Sequence, residues 1–67
     1  MENSILGLLI SQIEDDKTSI VDHLTSGSVA DYPAYKEACG RIYGLSLAQR
    51  NIGEMIERLK KQEASDN

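Results

Sequence analysis

Tryptophan and phenylalanine are absent from this 67-residue chain, and cysteine, histidine and proline occur once each. Each shortage removes a class of reading. A single cysteine, Cys39, forms no internal disulfide, and the lone His23 supplies no metal-ligand set. Carboxylates, nucleophiles and bases do not converge in any motif with catalytic spacing, so no catalytic residue, metal or cofactor is assigned and the chain reads as non-enzymatic. The apolar run from Ile5 to Ile10 is far shorter than the ~20 residues that span a bilayer, so no membrane segment is expected. Glu2 precedes that run where a secretory signal carries Lys or Arg, and no small-residue cleavage site follows it. With one thiol, the expected compartment is reducing.

Positive charge is also scarce. Seven basic residues face eleven acidic ones, a net charge of −4. Arg58, Lys60 and Lys61 cluster but alternate with Glu57 and Glu63, so there is no basic face to neutralise phosphates, and nucleic acid is not an expected partner. The charge is unevenly spread. Residues 1–31 carry six acids against Lys17, whereas residues 32–67 carry six bases against five acids. An acidic first half beside a mildly basic second half favours antiparallel packing, although exposed pairs contribute only about 0–1 kcal/mol each.

What is present is helical periodicity. Leu6, Ile10, Ile13, Ile20 and Leu24 recur in steps of three and four, with Lys17 in the one slot that breaks the series. This pattern predicts a first helix over 3–24. A second series, Tyr35, Ala38, Ile42, Leu45, Gln49, Ile52, Ile56 and Leu59, predicts a second helix over 33–62, broadened by Cys39, Ala48 and Met55. Thr25-Ser26-Gly27-Ser28 marks the turn over 25–32, with Gly27 suited to the left-handed C′ position. Asp31 is the expected N-cap of the second helix, Pro33 is tolerated in its first turn, and Ser28 with Asp31 offers an alternative capping box. The tail over 63–67 is polar and expected to fray. The fold class is therefore all-α: one domain, a two-helix antiparallel hairpin with coiled-coil-like packing.

A chain this small has only a few kcal/mol of net stability unless something staples it. With disulfides and metals excluded, oligomerisation is the remaining common device. The first two helical turns support that reading, because Ile5, Leu6, Leu8, Leu9 and Ile10 point in nearly every direction, which one partner helix cannot cover. Folding the helices about the turn sets Leu24 near Tyr35, Ile20 near Cys39, Ile13 near Leu45 and Leu6 near Ile52. Met55, Ile56 and Leu59 are then expected to project past the first helix and form an apolar end with Ile5, Leu8 and Leu9.

Gly40, Gly44 and Gly53 each cost a helix interior about 1 kcal/mol relative to Ala. Gly40, Gly44 and Ala48 repeat every four residues and form a smooth strip. Tight contact with the hairpin's own first helix is the leading explanation, contact with another subunit the second and a kink the third. Lys17 and Gln49 interrupt apolar seams. Lys17 can lay its stem along the seam and reach acidic neighbours, with Gln49 at a wet edge, or the two can set register and oligomer state. His23 reads as a surface residue at a helix C-terminus and Cys39 as a small buried apolar residue. Tyr32 and Tyr35 are expected to clamp the loop onto Val21 and Leu24, and Tyr43 is a candidate interface anchor. Glu14, Asp15 and Asp16 read as a solvated face able to pair with Arg41. The candidate interface is thus Ile5, Leu8, Leu9, Gly40, Tyr43, Gly44, Met55, Ile56 and Leu59.

Ser26-Gly27, Asp31-Tyr32, Tyr35-Lys36, Gly40-Arg41-Ile42-Tyr43-Gly44-Leu45, Ala48 and Ile52 together form a more specific pattern, with Y-K-x3-G-R-I-x-G-L at its centre. It resembles small helical-hairpin proteins of tailed bacteriophages that are encoded among head and portal genes. The resemblance covers about half of the chain and implies a phage origin, a place in the virion or host cytoplasm, and a role in the particle or its assembly. Partners would be further copies of the chain or head and portal components. A contrasting expectation is a small acidic phage regulator that binds and modulates a host enzyme.

Overall fold

A computed structural model describes residues 2–27 and 29–65. It is an all-helical hairpin, α1 (Glu2–Thr25) and α2 (Tyr32–Ser65), packed against each other with no strand among the described residues. Both helices exceed their predicted spans. α1 starts one residue before 3, and α2 runs on through 63–65, where Glu63 and Ala64 are good helix formers and no breaker intervenes. Residues 66–67 of the expected frayed tail lie outside the described residues.

The turn follows from its local chemistry. Ser26 Oγ donates to the His23 carbonyl at 2.9 Å, and Thr25 Oγ1 donates at 3.2 Å to the Asp22 carbonyl, which also accepts the Ser26 N–H at 3.0 Å, so both acceptors are satisfied at the helix end. Gly27 then takes φ +79°, a conformation in which a Cβ would be strained. Asp31 caps α2 as expected: its Oδ1 accepts the Ala34 N–H at 3.0 Å, and its carbonyl accepts the Tyr35 N–H at 3.1 Å. Ser28, the alternative cap, lies outside the described residues.

The seam holds Leu6, Ile10, Ile13, Lys17, Ile20 and Leu24 of α1, all half-buried, against Ala38, Ile42, Leu45, Gln49, Ile52, Ile56 and Leu59 of α2. Only Ala38, at 8% exposure, is buried among the described residues. Near the turn the packing departs from the expectation. Tyr35 and Cys39 are exposed; Ala34 faces α1 in place of Tyr35, and Ala38 holds its expected place on the seam. Val29 of the loop is half-buried and lines a cleft with His23, Ala34 and Ala38. Small side chains on that face of α2 leave room for the loop to fold over the helix end.

The open end also differs. Met55 shares a cleft with Leu6, Asn51 and Ile52 rather than projecting past α1, and Ile56 and Leu59 are half-buried. α1 begins at Glu2 and so covers more of α2 than a start at 3 or 4 would. The surplus length lies beyond: α2 has 34 residues and α1 has 24, a difference of about 15 Å at 1.5 Å per residue.

The hairpin measures 55 × 17 × 11 Å with a radius of gyration of 16.0 Å. A compact domain of this length would have about 11 Å. The molecule is a single layer, two helices wide, and each helix keeps a free outer face.

Candidate protein-interaction surface

The polar residues on the seam meet. Lys17 Nζ donates to Gln49 Oε1 at 2.8 Å, and Gln49 Nε2 donates to the Ile10 carbonyl at 3.2 Å and to Glu14 Oε1 at 2.9 Å. Lys17 Nζ also lies 3.8 Å from Glu14 Oε1. Helical side chains lean toward their own N-terminus, so in antiparallel helices Lys17 and Gln49 lean toward each other across the seam. Sliding one helix by a turn would break all of these cross-helix bonds, so the cluster sets register within the hairpin. Replacing Gln49 alone with Leu should cost about 1–2 kcal/mol, because Lys17 loses its acceptor while its stem stays covered. Lys17→Met combined with Gln49→Leu should recover most of that loss. Urea unfolding of the three chains checks this: additive costs would contradict a shared cluster.

The glycines do not serve the hairpin's own packing. A Cβ built on Gly40, Gly44 or Gly53 meets nothing within 4 Å. The expected tight approach to α1 is therefore absent, because the groove side of α2 is turned away from the closest line of contact. Gly40 and Gly44 are exposed.

Large apolar side chains remain in solvent. Ile5 is 71% exposed, Leu8 70% and Tyr43 67%, with Leu9, Val21 and Met55 also exposed. These residues do not share one face. Clefts along one side of the seam are lined by Ala34, Ala38 and Arg41 near the turn, by Asp16, Ser19, Ile20, Arg41, Gly44 and Leu45 at the middle, and by Leu6, Asn51, Ile52 and Met55 at the open end. At 100° per residue, Ile5 and Leu9 extend the row of Asp16 on this side, and Ala48 lies between Gly44 and Met55. Of the nine candidate interface residues, Ile5, Leu9, Gly44 and Met55 thus border the groove, with Gly40 at its outer rim. Leu8 points from the back of α1, Tyr43 lies toward the other side of α2, and Ile56 and Leu59 belong to the seam.

The aromatic residues near the turn face outward. Tyr32 and Tyr35 stack on each other at 6.3 Å with 24° between planes, and Lys36 Nζ sits 5.7 Å from the Tyr32 ring centroid. They do not clamp Val21 and Leu24, since both tyrosines are exposed. A side-chain hydrogen bond with Cys39, one turn on, holds the Tyr35 phenol above its usual 10.0. Cys39→Ala should therefore lower that midpoint. Absorbance titration of tyrosinate in a Tyr32→Phe, Tyr43→Phe background measures it, and an unmoved midpoint would count against the contact.

Asp16 and Arg41 line the same cleft from opposite helices. On α2, Arg50 pairs with Glu54 at 3.9 Å and Lys60 with Glu57 at 3.9 Å, both on exposed surface. No group of three His, Cys, Asp or Glu residues is arranged to hold a metal, and no helix is long and apolar enough to cross a membrane, among the described residues. No family model matches the chain, and no curated protein or solved structure matches it either.

Proposed function

We propose that this chain is a non-enzymatic interaction module of a tailed-phage particle or its assembly, acting by packing its exposed helical faces against other helices. The observation that carries the reading is the lack of an interior: Ala38 is the one buried residue among those described, while Ile5, Leu8, Leu9 and Met55 stand in solvent. Exposed apolar area of this kind favours association. The Y-K-x3-G-R-I-x-G-L pattern supports the phage setting and makes head or portal components the partners of choice beside further copies of the chain. The coiled-coil-like 3–4 spacing of both seams supports a helical bundle as the form of the assembly.

Two measurements test it. Light scattering at tens of micromolar should give a mass above the 7.4 kDa of one chain, and Ile5→Asp with Leu9→Asp should return the protein to that mass. Mass spectrometry of purified virions should recover its peptides. A second reading, an acidic regulator docking on a host enzyme, draws on the exposed Asp15, Asp16 and Asp22 of α1. A monomer missing from particles and bound stoichiometrically to an identified host enzyme would replace the first reading with the second.

A further inference from the structure

The groove side of the hairpin is graded in chemistry as well as exposed, and the identity of its occupant rests on the association proposed for the chain. The chain exposes 5167 Å², whereas a compact monomer of its mass would expose about 4,200 Å². The surplus is close to the ~800 Å² that each partner contributes to a standard stable interface. One further copy of the same hairpin is enough to absorb it.

At the open end the rim of the groove is mainly apolar, with exposed Ile5, Leu9 and Met55 beside the polar Asn51, and Leu6 and Ile52 lie below. At its middle, Gly44 leaves the surface flat and Asp16 and Arg41 supply opposite charges. A two-fold axis across the groove would lay the apolar end of each copy over the Arg41 region of the other, burying charge against hydrocarbon. An axis along the hairpin places like ends together. Apolar rim then meets apolar rim, and each Asp16 comes to the level of the partner's Arg41. In that geometry each α1 also lies beside the partner's α2. The charges suit this arrangement: the acids of α1 outnumber its single base, Lys17, whereas α2 carries six bases and four acids.

We propose that the groove is occupied by a second copy of this chain, side by side with its open end at the same end, forming a four-helix bundle in which α1 and α2 alternate. The flat strip at Gly44 faces the partner's α1 and lets the two backbones approach.

The test uses the full chain in a Cys39→Ala background. Mixed with Ile5→Cys chains, Met55→Cys chains should give an oxidatively cross-linked heterodimer as the main product, because each α2 lies beside the partner's α1 within disulfide reach, and Tyr43→Cys, on the other side of α2, should cross-link to Ile5→Cys at least about tenfold less. Gly44→Leu should keep the hairpin, since a Cβ there meets nothing within 4 Å and the position is exposed, and should weaken association by about tenfold or more while helicity by circular dichroism is unchanged or higher. An associating protein that cross-links through Tyr43→Cys as readily as through Met55→Cys, or that tolerates Gly44→Leu without loss of affinity, overturns the arrangement and leaves the association itself standing. A chain that stays monomeric at tens of micromolar overturns the arrangement and self-association together.

Discussion

The Ala38→Asp variant loses the cooperative helical transition of the wild-type chain. Ala38 is the one position among the described residues where the helices come close enough to shut out solvent, at 8% exposure. A carboxylate there must either enter an apolar contact without a partner or force the helices apart. Either route costs about 2–4 kcal/mol. That is comparable to the whole net stability of a chain this size. Far-UV circular dichroism during heating is the measurement, with Ala38→Ser as the control that keeps the size. Retention of the wild-type melting curve by Ala38→Asp would mean that the two helices do not converge at the turn. The effect should be much smaller for aspartate at Cys39, one residue on, because that side chain already faces water.

Gly40→Ala combined with Gly44→Ala stabilises the isolated hairpin. Each substitution removes backbone freedom from the unfolded chain and contributes about 1 kcal/mol in a helix interior. Neither new methyl group meets an atom within 4 Å, so no steric term opposes the gain. At about 4–8 °C per kcal/mol for a small domain, the melting temperature should rise by on the order of 10 °C. The measurement belongs at high dilution, where association does not add to stability. A fall in melting temperature at high dilution would mean that α1 lies within contact distance of the glycine strip. Glycines retained at such a cost in the monomer are consistent with a surface that must stay flat for something outside it.

The two variants separate what each part of α2 does. Ala38 faces inward and its replacement is felt within one chain. Gly44 faces the groove, and within one chain its replacement changes only the backbone freedom, the added side chain meeting no atom within 4 Å at its Cβ. The two positions are six residues apart, and no property of either residue taken alone distinguishes inward from outward.

Local chemistry in the amino-acid order determined the elements and the turn. Steps of three and four apolar residues define each helix, Gly27 has the one backbone freedom that the reversal requires, and Asp31 carries the oxygen that the first turn of α2 needs. These are interactions among residues a few positions apart, so they can be read without knowing where the rest of the chain goes. The identity of the seam over most of its length was legible for the same reason.

The rotation of α2 about its own axis was decided only in the tertiary structure. Periodicity placed Ala38 on the seam, but Tyr35 and Ala34 are adjacent apolar choices separated by 100°, and the apolar steps accept either of them and leave Cys39 free to sit at the edge of the stripe or outside it. Packing of Val29 and the loop over the end of α1 selects the small residues, which turns Tyr35 and Cys39 to solvent and the glycine strip away from α1. The meeting of Lys17 with Gln49, 32 positions apart in sequence, likewise depends on register and on the lean of both side chains. A face defined by one helix is a local property; which face is covered depends on a second body, and the hairpin itself leaves Ile5, Leu8, Leu9 and Met55 exposed.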